Sequence, residues 1–284
     1  MVFVNILVFC SPNYSKNTRI NTVKRSISTV DQFIILYKSI KKNWHFPYRI
    51  TLCNSIEFND VDRNRLDELD IDIFFVDPDI PELPFYCRGA CFRIDTTIIG
   101  THRLVLDADM IALNEPELDY TVDFQAMFAG SLLFNNNDIK YIANKYNLKK
   151  TFIVNNNAKG SLYKRYFNDE KDIYPYFNGG AILIKEELSS RFAELWTPTL
   201  LLSTNKGWNN KSVPHMKKHF GCQLTIGLTL LTLTNNWKPF KKGFNFIGKI
   251  INLDDFGRDN ISLYHYCGTG GLEIAKKNFP DYFN

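Results

Sequence analysis

The chain has 284 residues, of which 45% are hydrophobic and 23% charged, a composition typical of a globular protein that buries a large core. The formal net charge of +4, without long lysine or arginine runs, argues against a nucleic-acid partner. Six scattered cysteines without a Cys-x-x-Cys pair predict thiols in a reducing compartment, so we expect a cytoplasmic protein. The apolar run at residues 2–9 is too short for a transmembrane segment, and we expect none.

The first third of the chain alternates between apolar runs and amphipathic segments. Strands are predicted at 2–9, 48–53 and 71–76, and helices at 31–42, 62–69 and 86–99. This alternation is typical of a parallel sheet in an α/β fold. The turn at 10–13 contains no glycine, which argues against the glycine-rich fingerprint of a dinucleotide-binding enzyme.

An acidic pair follows the next predicted strand. The stretch 103–113 begins as an apolar strand, places Asp107 and Asp109 at its end, and resumes as a short second strand. Alternate residues of a strand face the same side, and open α/β sheets bind ligands at the carboxyl ends of their strands. We therefore expect the two carboxylates to converge on one site, where their oxygen atoms suit Mg²⁺ or Mn²⁺ held against a phosphate.

The same Asp-x-Asp spacing occurs at three other places in the sequence. These pairs lie in a charged helical stretch, before a strand and in a proline-rich turn, and they are Asp60/Asp62, Asp70/Asp72 and Asp77/Asp79. Such positions are usually solvated, so we interpret these three pairs as surface features.

The rest of the chain mixes strands, helices and two long polar segments. Strands are predicted at 124–129 and 177–184, and helices at 138–146, 186–202 and 221–234. A further short helix is predicted to end at residue 279. The polar segments 155–172 and 203–219 are long enough to be functional loops that close over ligands. With no repeat and no linker, we predict one domain over 1–284, with a nucleotide-binding half at 1–113 and an acceptor half at 114–284.

Three motifs occur in order along the chain. They are the Asp107-x-Asp109 pair, Phe177-Asn178-Gly179-Gly180 at the start of a strand, and His265-Tyr266-Cys267-Gly268 near the carboxyl terminus. In this order they resemble the GT-A glycosyltransferases, most closely family eight, the glycogenin and bacterial galactosyltransferase type. The resemblance covers most of the chain and implies a single Rossmann-like GT-A domain, an α/β fold with a mixed central sheet flanked by helices. The implied activity is transfer of a sugar from a UDP-sugar donor to a glycan or other acceptor hydroxyl, with retention of anomeric configuration.

The resemblance implies a metal site with three protein ligands. Asp107 and Asp109 would hold the cation, and His265 in the carboxyl-terminal segment would be the third ligand. An imidazole ligand favours Mn²⁺ over Mg²⁺. A cation that bridges both phosphates would stabilise the charge that develops on the leaving nucleotide, which makes Asp109 a catalytic residue as well.

The resemblance also assigns residues to the donor. Gln223 would lie beneath the anomeric carbon and Asn178 would hydrogen-bond the donor sugar, with both residues acting in catalysis. Arg93, and Arg88 as the next candidate, would clamp a phosphate or a sugar hydroxyl. The remaining donor-contact candidates are Ser11 and Tyr14 for uracil and ribose, Ala108 between the two acids, Gly179 and Gly180 where the backbone approaches the ligand, and Gly268 and Gly270 in a turn around the diphosphate.

The chain departs from the family pattern around the sugar. Cys222 stands where the family has an acid before Gln223, Gly271 stands where a lysine is expected, and Ala129-Gly130 replace a further acid. Lys276, Lys277 or a lysine of segment 203–219 is a substitute for the missing lysine. The departures leave donor identity and stereochemistry open.

Three alternatives to a retaining transferase follow. An inverting enzyme would need a carboxylate base, for which Asp172, Asp254 and Asp255 are candidates. A catalytically silent nucleotide-sugar-binding module of the same fold would account for the acid missing before Gln223. A sugar-phosphate nucleotidyltransferase is the weakest alternative, because such enzymes carry a glycine-rich basic loop where this chain has Ser11-Pro12-Asn13.

Overall fold

The computed structural model describes residues 2–10, 27–55, 57–77, 88–94, 100–128, 177–205, 223, 225–230, 232–247, 253–267 and 270–283. Within this part of the chain the strands form a seven-stranded sheet and a three-stranded sheet. The helices of the first half follow the strands with which they alternate in sequence, as the predicted α/β pattern requires.

The larger sheet is mixed, as the resemblance to the GT-A glycosyltransferases implies. Its strands are β1 (Val4–Phe9), β2 (Tyr48–Asn54), β3 (Asp72–Phe75), β4 (His102–Asp107), β6 (Phe124–Phe128), β7 (Phe177–Lys185) and β8 (Trp237–Pro239). They lie in the order β3-β2-β1-β4-β7-β6-β8. The first four are parallel, whereas β7 runs antiparallel to both β4 and β6. The carboxyl end of β4 therefore lies beside the amino end of β7.

The smaller sheet joins the acidic stretch to the end of the chain. Its strands are β5 (Met110–Ala112), β9 (Phe246–Ile247) and β10 (Leu263–His265), with β10 in the middle. Strand β5 follows β4 after a two-residue turn, and β10 pairs antiparallel with β5 and parallel with β9. This pairing brings a segment from residue 263 onward against residues 109–112.

Six helices are described, together with a helical segment at 225–230. They are α1 (Thr29–Asn43), α2 (Asp60–Asp67), α3 (Arg88–Arg93), α4 (Glu186–Asn205), α5 (Leu253–Phe256) and α6 (Gly271–Asn278). Short 3₁₀ turns cover Arg258–Asn260 and Pro280–Tyr282. Helix α1 begins with a capping box, in which the Ser28 hydroxyl accepts from the Asp31 amide and the Asp31 carboxylate accepts from the Ser28 amide. Its apolar face, including Phe33, Leu36 and Ile40, is buried in the main core.

Most predicted elements are confirmed within a few residues. The helix predicted over 86–99 is shorter, because α3 has ended at Ile94. Helix α4 continues to Asn205, so the polar segment predicted from 203 begins with helix. Residues 237–239 form an edge strand of the large sheet, just beyond the helix predicted at 221–234, where no strand was predicted. The predicted helix at 138–146 and loop at 155–172 lie outside the described residues.

Two further predictions concern the environment of the protein. Cys10, Cys53, Cys91 and Cys267 carry thiols, not disulfides, as the sequence predicts; Cys87 and Cys222 lie outside the described residues. Among the described helices, none has the length and apolar character needed to cross a membrane.

Candidate metal and donor site

The acidic pair lies where β4 ends. Asp107 is the last residue of β4 and Asp109 lies in the turn that leads into β5. Their side chains keep 29% and 15% of their surface exposed, so each carboxylate is partly desolvated but still open to a ligand. The predicted convergence at the carboxyl end of a sheet strand is therefore present.

His265 reaches the same place from the other end of the sequence. In the β5–β10 ladder it lies opposite Met110, and the next residue, Tyr266, donates its amide to the Asp109 carbonyl at 3.1 Å. The Nε2 atom of His265 lies 3.3 Å from Asp109 Oδ1 and 3.9 Å from Asp107 Oδ2. One ligand atom from each of the three residues lies within 4.8 Å of the other two.

These three side chains suit a divalent cation. The Nε2 atom of His265 is fully buried and has no well-directed hydrogen bond to any described residue, although it faces two carboxylate oxygens. Burial by itself lowers the pKa of His265, but Cys267 and Asp109 together raise it well above its ordinary value. A divalent cation would give the imidazole nitrogen and the two carboxylates a shared partner.

Two more side chains lie behind His265: Asn178, at a bulge of β7, and Asn245, just before β9. Residues 179–181 are extra residues of β7 opposite a single step of β6, between the pairs Ala126–Ile182 and Met127–Asn178. The Asn178 Oδ1 atom accepts from the Gly180 amide at 2.7 Å and from Asn245 Nδ2 at 3.1 Å. Asn245 Oδ1 in turn lies 2.9 Å from His265 Nδ1.

Sequence reasoning missed Asn245. The residue is fully buried and has a left-handed backbone with φ of 57°, a conformation that Asn tolerates better than most residues. Nothing in a single sequence links it to His265, because the two meet only when β9 and β10 pair.

Gly180 has a packing role that the sequence did not indicate. A Cβ atom at this position would lie 2.5 Å from His265 Cε1 and 2.7 Å from Met110 Cε. The side-chain space at Gly180 is thus filled by protein atoms, so the packing of His265 requires a glycine here. Its predicted contact with the donor stays a prediction.

Arg93 lies exposed at the end of α3, and the buried guanidinium of Arg103 holds that helix end. Arg103 of β4 donates to the carbonyls of Cys91 and Ile94, each at 2.9 Å, and pairs with Glu186 at the start of α4. The Arg103 side chain is 3% exposed, so its charge depends on these partners for compensation. The side chain of Arg88 lies outside the described residues.

The other predicted site residues are only partly described. Ala108 is buried between the two acids, and Gly179 is buried in the β7 bulge. Gln223 has a helical backbone and is half-buried. Gly270 precedes α6 with φ of 77°, the left-handed conformation that favours glycine. Ser11, Tyr14 and Gly268 lie outside the described residues, as does Asp172, and of Asp254 and Asp255 only the backbone is described. Their predicted roles stay predictions.

Glycosyltransferases are among the solved structures that share this architecture. The galactosyltransferase LgtC, solved in complex with donor and acceptor sugar analogs, aligns over 98% of this chain and 94% of its own, with 12% identity and a TM-score of 0.54. The glycosyltransferase GlyE of Streptococcus pneumoniae aligns over 94% of this chain and 55% of its own, with 14% identity and a TM-score of 0.50. The bifunctional enzyme WbbM aligns over 94% of this chain and 46% of its own, with 9% identity and a TM-score of 0.50.

Comparisons of the sequence add nothing to these structural matches. No protein-family model matches the chain, and neither does any curated protein. At 9–14% identity the structural likeness establishes the fold alone. The chain therefore has the GT-A fold and resembles, within it, the family-eight type that its three motifs predict.

Proposed function

We propose that the chain is a metal-dependent glycosyltransferase that moves a sugar from a UDP-sugar donor to a glycan or other acceptor hydroxyl, with retention. The convergence of Asp107, Asp109 and His265 at the carboxyl end of β4 carries this proposal. In open α/β sheets ligands bind at the carboxyl ends of strands, and the oxygen and imidazole donors suit Mn²⁺, with Mg²⁺ as the alternative. The proposal keeps one domain, with the nucleotide held by residues 1–113 and the acceptor by residues 114–284.

Each protein group has a task in this proposal. Asp107, Asp109 and His265 hold the cation, which when bound offsets the negative charge that develops on the departing diphosphate. Arg93 contacts a donor phosphate or sugar hydroxyl from the end of α3, whose position Arg103 maintains. Asn178 and Gln223 contact the sugar itself, and the glycines at 179, 180, 268 and 270 line the donor.

The experiment is a donor screen. The protein is incubated with UDP- and GDP-sugars in the presence of Mn²⁺, and the released nucleotide is measured with and without an acceptor. We expect UDP release from one or a few UDP-sugars and its loss on addition of a chelator. Release that a chelator leaves unchanged would contradict the metal role, and analysis of the product anomer separates retention from inversion.

A matched pair of variants tests the acidic site. Asp109→Asn should reduce UDP release to background while the fold is kept, because the amide removes one anionic ligand of the cation. Asp70→Asn makes the same chemical change in another Asp-x-Asp pair, at a side chain that is 70% exposed, and should leave release unchanged. Equal loss in both variants, or no loss in Asp109→Asn, would count against the site.

The second candidate is a catalytically silent nucleotide-sugar-binding module. It is favoured by Cys222, which stands where the resembling family has an acid before Gln223. Such a module would bind UDP in a Mn²⁺-dependent manner and release none from any donor. Under either candidate, His265→Ala should weaken Mn²⁺-dependent UDP binding by well over tenfold, measured by titration calorimetry, and equal affinity would reduce His265 to a core residue.

A further inference from the structure

A chain of three hydrogen bonds connects His265 of the candidate metal site to β7. His265 Nδ1 lies 2.9 Å from Asn245 Oδ1, Asn245 Nδ2 lies 3.1 Å from Asn178 Oδ1, and Asn178 Oδ1 lies 2.7 Å from the Gly180 amide nitrogen. Its side chains are buried, with relative exposures of 6% for Asn178, 0% for Asn245 and 3% for His265. Buried polar groups of this kind depend on each other for hydrogen bonding.

The direction of every bond in this chain is set at one end. The Gly180 amide can only donate, so the Asn178 atom that faces it is the carboxamide oxygen. That oxygen also faces Asn245, which must therefore present its NH₂ group to Asn178. The remaining atom of the Asn245 carboxamide, its oxygen, then faces His265 Nδ1 and can only accept.

We propose that Asn245 is a positioning residue that holds the proton of the neutral His265 ring on Nδ1 and so directs the Nε2 lone pair at the cation bound by Asp107 and Asp109. This inference rests on the proposed metal site. Metal-bound histidines commonly donate their other ring N–H to an oxygen that fixes tautomer and ring orientation. Asn suits position 245 because its carboxamide both accepts and donates and because it tolerates the left-handed backbone there.

The competing tautomer explains why positioning is needed. Nε2 lies 3.3 Å from Asp109 Oδ1, so in a neutral ring without Asn245 the negative charge of this carboxylate would favour the proton on Nε2. That proton would occupy the lone pair that a cation requires. With Asn245 in place the Nε2–H tautomer sets the Nδ1 lone pair against the Asn245 oxygen, which is unfavourable.

The direct test reads the tautomer. Two-bond ¹H–¹⁵N spectra of the metal-free protein, recorded at a pH where the ring is neutral, distinguish a protonated Nδ1 from a protonated Nε2. Spectra of a His265→Gln variant identify the His265 signals among the five histidines. We expect the Nδ1–H form in the unmodified protein, and an Nε2–H ring there would overturn the proposal.

Two substitutions separate positioning from simple packing. Asn245→Gly keeps the left-handed backbone and removes both hydrogen bonds. Asn245→Asp keeps an acceptor for His265 Nδ1 and, as a buried protonated carboxyl, also a donor for Asn178 Oδ1. We expect Asn245→Gly to shift the ring toward Nε2–H and to weaken Mn²⁺ binding about 10–100-fold, as loss of such a partner does elsewhere. Asn245→Asp should keep the Nδ1–H form, and its Mn²⁺ affinity should stay within about threefold of that of the unmodified protein, a much smaller change than the 10–100-fold loss expected for Asn245→Gly.

The outcomes are distinct. Unchanged tautomer and Mn²⁺ affinity in Asn245→Gly, or equal losses in both variants, would make Asn245 a packing residue and overturn the proposal. If Asn245→Gly does not fold, the His265 tautomer of the unmodified protein and the Mn²⁺ titration of Asn245→Asp still test whether Asn245 positions the ring. Because these measurements need no donor, a protein that passes them but releases no UDP would refute the proposed activity and leave the role of Asn245 standing.

Discussion

Gly180→Ala adds one methyl group beside the imidazole of His265. The new Cβ atom would lie 2.5 Å from His265 Cε1, 2.7 Å from Met110 Cε and 2.8 Å from Asn178 Oδ1. All three atoms are buried or nearly so, and the Asn178 oxygen is held by two hydrogen bonds. We therefore expect the His265 ring to move away from β7.

The size of this movement follows from ordinary contact distances. Carbon atoms in contact stay about 3.5–4.0 Å apart, so the ring has to retreat by about 1 Å. Ligand distances in a metal site tolerate changes of only about 0.2 Å, so such a shift removes His265 as an effective ligand. We expect Mn²⁺ to bind about 10–100-fold more weakly, a loss of about 1.4–2.7 kcal/mol. Overpacking should also lower the free energy of unfolding by about 1–3 kcal/mol.

Two measurements and one control variant test this reasoning. Free Mn²⁺ is titrated by electron paramagnetic resonance, and unfolding is followed in urea. Gly100→Ala is the matched control, because its Cβ atom would lie 2.8 Å from Asn5 Nδ2 and 2.9 Å from the Phe3 carbonyl, just before the opposite end of β4. It should lose stability and keep its Mn²⁺ affinity. Mn²⁺ affinity that is unchanged in Gly180→Ala, or equally reduced in Gly100→Ala, would refute the argument.

Two further predictions concern stability. Arg103→Met should lower the free energy of unfolding, measured in urea, by about 3 kcal/mol, because Glu186 and the carbonyls of Cys91 and Ile94 lose the guanidinium that they share. A loss below about 1 kcal/mol would show that water replaces the guanidinium. Burial, with help from Lys185, lowers the pKa of His102, so protonation favours the unfolded chain. The contribution of neutral His102 to the free energy of unfolding should therefore be fully present above the ordinary histidine pKa of about 6.5 and fall as the pH drops below it. His102→Gln should flatten the plot of this free energy, measured in urea, against pH below about 6.5. An unchanged slope would contradict this assignment.

The local structure was largely predictable because short-range patterns govern it. The apolar run of β1, the amphipathic pattern of α1 and the apolar stretch that ends at Asp107 each indicate their element within a few residues. The position of the acidic pair at a strand end follows from the same patterns. The three motifs in order added the GT-A fold, which the structural comparisons confirm.

The assembly of the site depended on long-range pairing that no local pattern contains. His265 lies near Asp109 because β10 pairs with β5 across about half of the sequence, and a change of register by one residue would turn the imidazole to the other face. The sequence offered His265 only through its resemblance to a family.

The sequence by itself determined most of the longer strands and helices, the position of the two acids and the fold that the motifs imply, since hydrophobic periodicity and residue order carry that information. Only the tertiary structure decided that Gly180 makes room for the imidazole and that Asn245 hydrogen-bonds its far side. Both facts are contacts between segments remote in sequence, and such contacts exist only once β7, β9 and β10 are packed at the end of β4.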